Sequence, residues 1–187
     1  MGWGRLIVEQ SGDLALYLTL AIAGIFPSCM AYAAWSDLGR MEIPNWASIA
    51  PAIAYLPYAL LTEQPILTTG LHYAVGVGVF GVGVVLFAMR VMGGGDVKLL
   101  GAAAIWIGWD HLAPYVFLVA VSGGLLSLLA LGLRRPIFKF LYRPLPWTDP
   151  AQPPKIPYGL AIGAAAILLF PKIPGVASAW ETLTRAL

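Results

Sequence analysis

The chain has 187 residues, of which 59% are hydrophobic and only 11% charged. A soluble domain carries roughly 25% charged residues, so this composition, with a mean hydropathy of +0.80, predicts an integral membrane protein. The net charge of +2, without any run of lysines or arginines, argues against a nucleic-acid partner. The length suits a single domain, residues 1–187, with no room for a large soluble appendage.

Apolar segments along the chain predict an all-α, polytopic membrane helix bundle with about six transmembrane segments. They are residues 14–36, 46–61, 71–91, 97–109, 112–133 and 157–179. The fourth, Val97–Trp109, is shorter than a full span, so a short or tilted helix is expected there. Residues 37–45 read as a polar connection in which Asn45 caps the second helix. Residues 134–156 form a basic, proline-rich loop.

Lysines and arginines favour the cytoplasmic side of a membrane, and six crossings divide them unevenly. One face collects Arg40, Arg90, Lys98, Arg134, Arg135, Lys139, Arg143 and Lys155, and the other collects Arg5, Lys172 and Arg185. This excess predicts that the first face is cytoplasmic and that Asp37 and Asp96 share it.

Glycine motifs within the apolar segments are interpreted as helix-packing sites. Gly76, Gly78 and Gly81 formally match a dinucleotide-binding fingerprint, but no soluble strand precedes them, so the context of such a site is missing. Small residues that let membrane helices pack closely explain this motif and the Gly159-x-x-x-Gly163 motif better.

Neither histidine nor cysteine forms a pattern typical of a metal site. His72 and His111 lack a second ligand at metal spacing and fall on the face opposite the aspartates, so both are interpreted as interfacial residues. The single cysteine, Cys29, is interpreted as a small packing residue.

Carboxylates remain as the groups able to perform chemistry. Asp96 follows the run Gly93-Gly94-Gly95 at the end of an apolar segment, where a carboxylate is costly unless it is solvated, paired or functional. It is either the cap of a helix beginning at Val97 or a reactive group. Asp37 is either a solvated loop residue or its partner. Two close carboxylates share a proton, so that one activates water while the other donates a hydrogen bond to a carbonyl.

Three motifs, in order along the chain, resemble those of type IV prepilin peptidases, a family of Gly-x-Gly-Asp aspartic peptidases. They are the stretch from Asp37 to Asn45 with Arg40 and Ile43-Pro44-Asn45, the run Gly93-Gly94-Gly95-Asp96-Val97-Lys98, and Ile156-Pro157-Tyr158-Gly159. The resemblance is to the short branch that serves tight-adherence (Flp-type) pili. Longer relatives carry a four-cysteine zinc insert and also methylate the new N-terminus, whereas this chain has one cysteine. The resemblance therefore implies no zinc and no other cofactor, and it argues against methyltransferase activity.

The resemblance implies that Asp37 and Asp96 form a catalytic dyad at the cytoplasmic edge of the bacterial inner membrane. The implied substrate is a prepilin or pseudopilin precursor with a basic leader and an apolar helix, handed on to a pilus assembly machinery. The supporting motif residues would be Gly93, Gly94, Gly95, Lys98, Arg40, Pro44 and Asn45. The glycines would allow close approach of a backbone.

Alternatives stay open for the supporting cations and for the chain as a whole. Lys98 is either a group that stabilises charge or orients the loop, or a lysine that snorkels to the membrane interface. Arg40 pairs with a carboxylate or with a lipid phosphate. The rival functions are a non-catalytic membrane component of a pilus or secretion system and a small transporter. A transporter is expected to place charges near the bilayer midplane, often with internal symmetry, and the sequence has neither feature.

Overall fold

The computed structural model describes residues 3–133, 156–173 and 175–178, and within them every regular element is a helix. The α-helices are α1 (Trp3–Arg40), α2 (Asn45–Leu61), α3 (Ile66–Ala88), α4 (Gly94–Leu133) and α5 (Tyr158–Leu169), the last followed by a 3₁₀ turn, Phe170–Lys172. The predicted class, an all-α membrane helix bundle, is confirmed.

Three of the described helices are long and apolar enough to cross a membrane, namely Leu14–Arg40 of α1, α3 and α4. A straight helix of 40 residues would be about 60 Å long, twice the thickness of a bilayer's hydrocarbon core. The backbone of Gly108 interrupts α4 with φ 67° and ψ −178°, a conformation that favours glycine. The break divides the helix into α4a (residues 94–107) and α4b (residues 109–133). With this division the helical pieces correspond one to one to the six predicted apolar segments.

The helices run alternately up and down, so that the bundle has two distinct ends. The aspartate end contains the last turn of α1 with Asp37 and the first turn of α4 with Asp96, and the far end contains the Gly108 break. His72 of α3 lies beside Gly108, about 18 Å along α4a from Asp96 at 1.5 Å per residue. Gly123 of α4b lies against Tyr158 at the start of α5, next to the residue that binds Asp37, so α4b returns to the aspartate end and runs parallel to α3. The prediction that both aspartates share one end, opposite His72, is confirmed.

The centre of the bundle is α4a, whose residues 101–108 are all buried. Trp106 stacks on Phe26 of α1 with ring centroids 5.0 Å apart and meets Tyr55 of α2 edge-on at 5.4 Å. Its indole N–H donates a 2.7 Å hydrogen bond to the Pro51 carbonyl, so its polar atom is satisfied inside the core. This anchor fixes α4a against α1 and α2.

The helix-packing interpretation of the glycine motifs is confirmed in part. A Cβ on Gly76 would collide with the side chain of Ile105, and one on Gly163 would lie 2.7 Å from a backbone oxygen of α1. These two glycines therefore allow α3 to approach α4a and α5 to approach α1. Gly78 and Gly81 have no such neighbour within 4 Å in the part of the chain that the structure describes, so packing there does not explain them.

The segment between the first two helices differs from the prediction in two respects. Helix α1 continues to Arg40, so Asp37 belongs to its last turns and not to a polar connection. The prediction that Asn45 caps α2 is wrong, because Asn45 is the first helical residue and Pro44 occupies the cap position without a side-chain hydrogen bond. Proline suits the start of a helix because its fixed φ matches and it has no N–H to satisfy.

Candidate active site

Asp37 is held by the backbone at the start of α5. The residue is only 6% exposed, and its Oδ2 accepts a 2.7 Å hydrogen bond from the Gly159 N–H. A Cβ on Gly159 would lie 2.9 Å from Asp37 Oδ2 and 2.8 Å from Ile43 Cδ1. Only glycine fits at this position, which lets an N–H from the positive end of α5 reach the carboxylate.

Asp96 is the third residue of α4, and its carboxyl group contacts the N–H of Gly93. This contact is one half of a capping box, in which the side chain at N3 accepts a hydrogen bond from the residue before the helix. Asp96 therefore does cap a helix, as one interpretation of the sequence held, but that helix begins at Gly94 and not at Val97. Its second oxygen, Oδ1, is buried and has no hydrogen-bond partner among the described residues.

The two carboxyl groups lie close enough to interact electrostatically, although they come from separate helices. Both are buried, with Asp37 6% and Asp96 8% exposed, and neither forms an ion pair within the described part of the chain. Two adjacent carboxylates removed from water and from cations cannot both carry a negative charge at low cost. Carboxyl groups in such surroundings titrate as a coupled pair.

Both aspartates open into one cavity of about 420 Å³, formed by the end of α1, the connection to α2 and the glycine run before α4. This volume lies within the usual range of ligand pockets, about 300–1,000 Å³. The connection is folded back over the cavity, because Met41 adopts a positive φ of 56° and the Ser36 hydroxyl donates a 2.8 Å hydrogen bond to the Glu42 carbonyl. The cavity can therefore admit a short stretch of peptide next to the carboxyl pair.

The predicted glycines Gly93, Gly94 and Gly95 line this cavity, but not for the conformational reason that glycine runs suggest. None of the three has a positive φ. A Cβ on Gly95 would lie 3.1 Å from Ile43, whereas one on Gly94 would make ordinary contacts with Phe87. Close approach therefore explains Gly95, and the chain it admits is the connection between α1 and α2.

The other predicted supporting residues divide into two groups. Arg40 and Pro44 line the cavity with the aspartates. Lys98 and Asn45 lie outside its lining, on the exposed surface, where the Lys98 ammonium donates a 2.9 Å hydrogen bond to Asn45 Oδ1. That bond joins the beginning of α4 to the first residue of α2, so Lys98 is hydrogen-bonded to the Asn45 side-chain amide.

Two residues of the site were not predicted to contact it. Gly159 was recognised only as part of a motif that begins the last helix, and Ile43 only as part of the first-aspartate motif. Their sequence signal was present in Pro157-Tyr158-Gly159 and Ile43-Pro44-Asn45. The sequence alone does not show that Gly159 lies next to Asp37, because the two residues are 122 positions apart.

The histidines lie away from the aspartate pair. His72 Nδ1 lies 2.7 Å from the Ile105 carbonyl, next to the break at Gly108. The imidazole thereby satisfies a carbonyl whose helical partner is displaced by the break. No group of three or more histidine, cysteine, aspartate or glutamate side chains that could hold a metal ion occurs within the described ranges.

A comparison with protein-family models matches residues 24–128 to the type IV leader peptidase family. The matched segment is more than half of the chain and includes both aspartates. The chain belongs to this family. Among curated proteins it is similar to the prepilin leader peptidase/N-methyltransferases of two Burkholderia pseudomallei strains, 1026b and K96243, with 38% identity over 79 residues in each case.

These alignments to the two relatives cover 42% of this chain and 22% of each relative. No solved structure matches the chain. Within the family match, the carboxyl pair, the Gly93–Gly95 run and the Lys98–Asn45 contact all fall inside residues 24–128. Gly159 lies outside that segment and is joined to it by its hydrogen bond to Asp37.

Proposed function

We propose that the protein is a membrane aspartic endopeptidase that removes the leader peptide of type IV prepilin-like precursors, Flp-type precursors in particular. The observation that carries the proposal is the meeting of Asp37 and Asp96, two buried carboxyl groups from different helices, in one cavity at one end of the bundle. Membership of the leader peptidase family supports the same reaction. The names of the two Burkholderia relatives support prepilins as the substrate class.

The carboxyl pair performs the hydrolysis as a unit with one proton. The unprotonated carboxyl group accepts a proton from water, whose oxygen bonds to the scissile carbonyl carbon, while the protonated one donates a hydrogen bond to the carbonyl oxygen. The tetrahedral intermediate collapses as the C–N bond breaks and the leaving amine receives a proton from the pair. The Gly159 N–H keeps Asp37 oriented through this cycle, because it binds one oxygen and leaves the other for the reaction.

The proposed location is the bacterial inner membrane, with the aspartate end at the cytoplasmic face. The predicted distribution of lysine and arginine in the sequence supports this orientation; most of these cations belong to the predicted loop 134–156, nearly all of which lies outside the described residues. The precursor's basic leader would then approach the cavity from the cytoplasm while its apolar helix remains in the bilayer. The proposal covers leader cleavage, and the product would pass to a pilus assembly machinery.

The decisive experiment compares leader cleavage of a co-expressed prepilin by the wild type, Asp37→Asn and Asp96→Asn. Cleavage is detected as the shift in gel mobility of the shortened product. Asparagine keeps the shape of each side chain but cannot share the proton, so both variants should lose cleavage completely while inserting normally. Glu63→Gln is the matched control, since Glu63 is exposed in the connection between α2 and α3, away from the aspartate end, and this variant should cleave at the wild-type rate. Near-normal processing by either site variant would favour a non-catalytic assembly protein or a transporter.

A further inference from the structure

A second, larger cavity of about 1250 Å³ lies between α3 and α4b. Two apolar helix faces form its walls. On α3 the wall is a single stripe with helical spacing, comprising Leu71, Val75, Val79, Val82 and Leu86. On α4b it comprises Leu112, Val116, Val119, Ala120, Gly124 and Ser127. Leu100 of the central helix α4a also lines the cavity. The two stripes thus face a common groove, which we call the α3–α4b groove.

The groove has the length of one membrane crossing. Along α3 its lining runs from Thr68 to Leu86, about 27 Å at 1.5 Å per residue, close to the roughly 30 Å hydrocarbon core. At the far end it includes Trp109 and Asp110, residue types that suit a membrane surface. A hydrophobic helix lying in it would therefore be matched to the groove from end to end.

At its other end the groove is lined by the two chain segments that lead into the candidate active site. Met92 and Tyr158 line it there, and each is followed in sequence by a residue of the candidate active site. Gly93 lines the cavity of the aspartates, and Gly159 donates its N–H to Asp37. In each of these two chain segments, a residue that lines the groove is therefore followed directly by a residue that lines the aspartate cavity or binds Asp37.

Glycines line both walls and leave room for a closely packed helix. A Cβ built on Gly78 or on Gly124 meets nothing within 4 Å, and both residues line the groove. Packing among the described residues therefore does not account for either glycine. Close approach of another membrane helix does, since small residues are what such interfaces require.

We propose that the α3–α4b groove binds the apolar helix of the precursor and directs the leader junction at its end into the cavity of Asp37 and Asp96. The inference rests on the proposed function. The precursor helix lies antiparallel to α3 and α4b, because its leader-bearing N-terminal end is at the aspartate end. Binding along a full membrane crossing fixes the depth of the scissile bond, which positions it at the carboxyl pair.

Cross-linking tests the occupant directly. The probe is a precursor with a basic leader and an apolar helix of about 20 residues that carries one cysteine at its middle. In a Cys29→Ala, Asp96→Asn background, which leaves the precursor uncut, Val79→Cys and Val116→Cys should form disulfides with it on oxidation. Val77→Cys and Phe117→Cys are the controls, because these residues are exposed and do not line the groove. Equal cross-linking at all four positions, or homodimers alone, overturns the assignment in favour of lipid or of a second copy.

Cleavage gives an independent test. Gly78→Phe and Gly124→Phe place a ring in the groove, and each should raise the KM for the full precursor about tenfold, the size expected when one side chain overpacks a close-fitting site. The rate of precursor cleavage, divided by the rate for a short leader peptide that lacks the helix, should fall by the same factor. Gly81→Phe and Gly132→Phe have equally open surroundings outside the groove lining and should leave both rates unchanged. An unchanged ratio for Gly78→Phe and Gly124→Phe overturns the groove assignment.

The two proposals fail separately. If wild-type protein leaves the precursor uncut, the proposed function fails, and with it the substrate role of the groove. If wild type cuts the precursor and Asp37→Asn does not, but the groove cysteines fail to cross-link preferentially, the proposed function stands and only the groove assignment fails.

Discussion

Gly159→Ala is the substitution that most directly tests how Asp37 is held. The added methyl group would lie 2.9 Å from Asp37 Oδ2 and Cβ and 2.8 Å from Ile43 Cδ1, closer than carbon atoms pack. Relief requires either the carboxylate or the start of α5 to move. Either movement stretches the 2.7 Å hydrogen bond from the Gly159 N–H.

The expected cost has two parts. Overpacking of this kind destabilises a fold by about 1–3 kcal/mol. A displacement of a catalytic group by about 1 Å costs about 100-fold in rate. We therefore expect Gly159→Ala to lower kcat for leader cleavage about 100-fold while the protein still inserts and folds.

Gly163→Ala separates the two parts. Its methyl group would lie 2.7 Å from the Met30 carbonyl oxygen, a clash of similar severity one turn further along α5, but away from both aspartates. Both variants should lower the thermal unfolding midpoint of the detergent-solubilised protein by similar amounts. Only Gly159→Ala should lose cleavage, measured as shortened precursor over time at a temperature where both variants are folded. Equal cleavage rates for the two variants would refute the reasoning that Gly159 orients Asp37.

Further predictions concern the surface contact, the core and the proton of the pair. Lys98→Ala and Asn45→Ala each remove the same exposed hydrogen bond, so each should cost at most about 1 kcal/mol of unfolding free energy, and the double variant should cost no more than either single one. Additive losses in thermal denaturation would contradict this coupling. Trp106→Ala should lower the free energy of unfolding by about 3–5 kcal/mol, because it leaves a void at the centre of the bundle and removes the indole N–H that binds the Pro51 carbonyl. Unfolding of the purified protein in denaturing detergent measures this loss. Cleavage should follow a bell-shaped pH profile, because acid protonates both carboxyl groups and removes the base, whereas alkali ionises both and removes the acid. A profile that levels off in alkali would argue against a shared proton.

Much of the architecture follows from local sequence patterns. The apolar segments predict the helices. Because consecutive segments cross in opposite directions, the number of segments between Asp37 and Asp96 predicts that both aspartates lie at the same end of the bundle. The end of α1 was predicted four residues too early. Leu38, Gly39 and Arg40 look polar and flexible as a group, but nothing before Pro44 prevents the helix from continuing.

The site itself required the fold. That Asp37 binds the N–H of Gly159, and that Lys98 binds Asn45, depends on the packing of α5 and α2 against the ends of α1 and α4, which no local pattern encodes. The break in α4 was expected between residues 109 and 112 and lies at Gly108. There His72 approaches Gly108 closely and contacts the Ile105 carbonyl, and neither contact is visible in a local pattern.

The electrostatics of helix ends explain why α5 belongs to the site although it contributes no acidic side chain. Asp96 lies in the first turn of α4, where the helix dipole favours negative charge. Asp37 lies near the end of α1, where the dipole of its own helix opposes negative charge. The start of α5 offsets this, because Pro157 at its cap position and Gly159 in its first turn bring a positive helix end directly onto the Asp37 carboxyl group. Each carboxyl group thus contacts a backbone N–H at a helix start, Asp96 that of α4 and Asp37 that of α5. The carboxyl pair is therefore held by three helices. A chain that lacked α5 would keep both aspartates but would lose the backbone N–H of Gly159, which stabilises negative charge on Asp37.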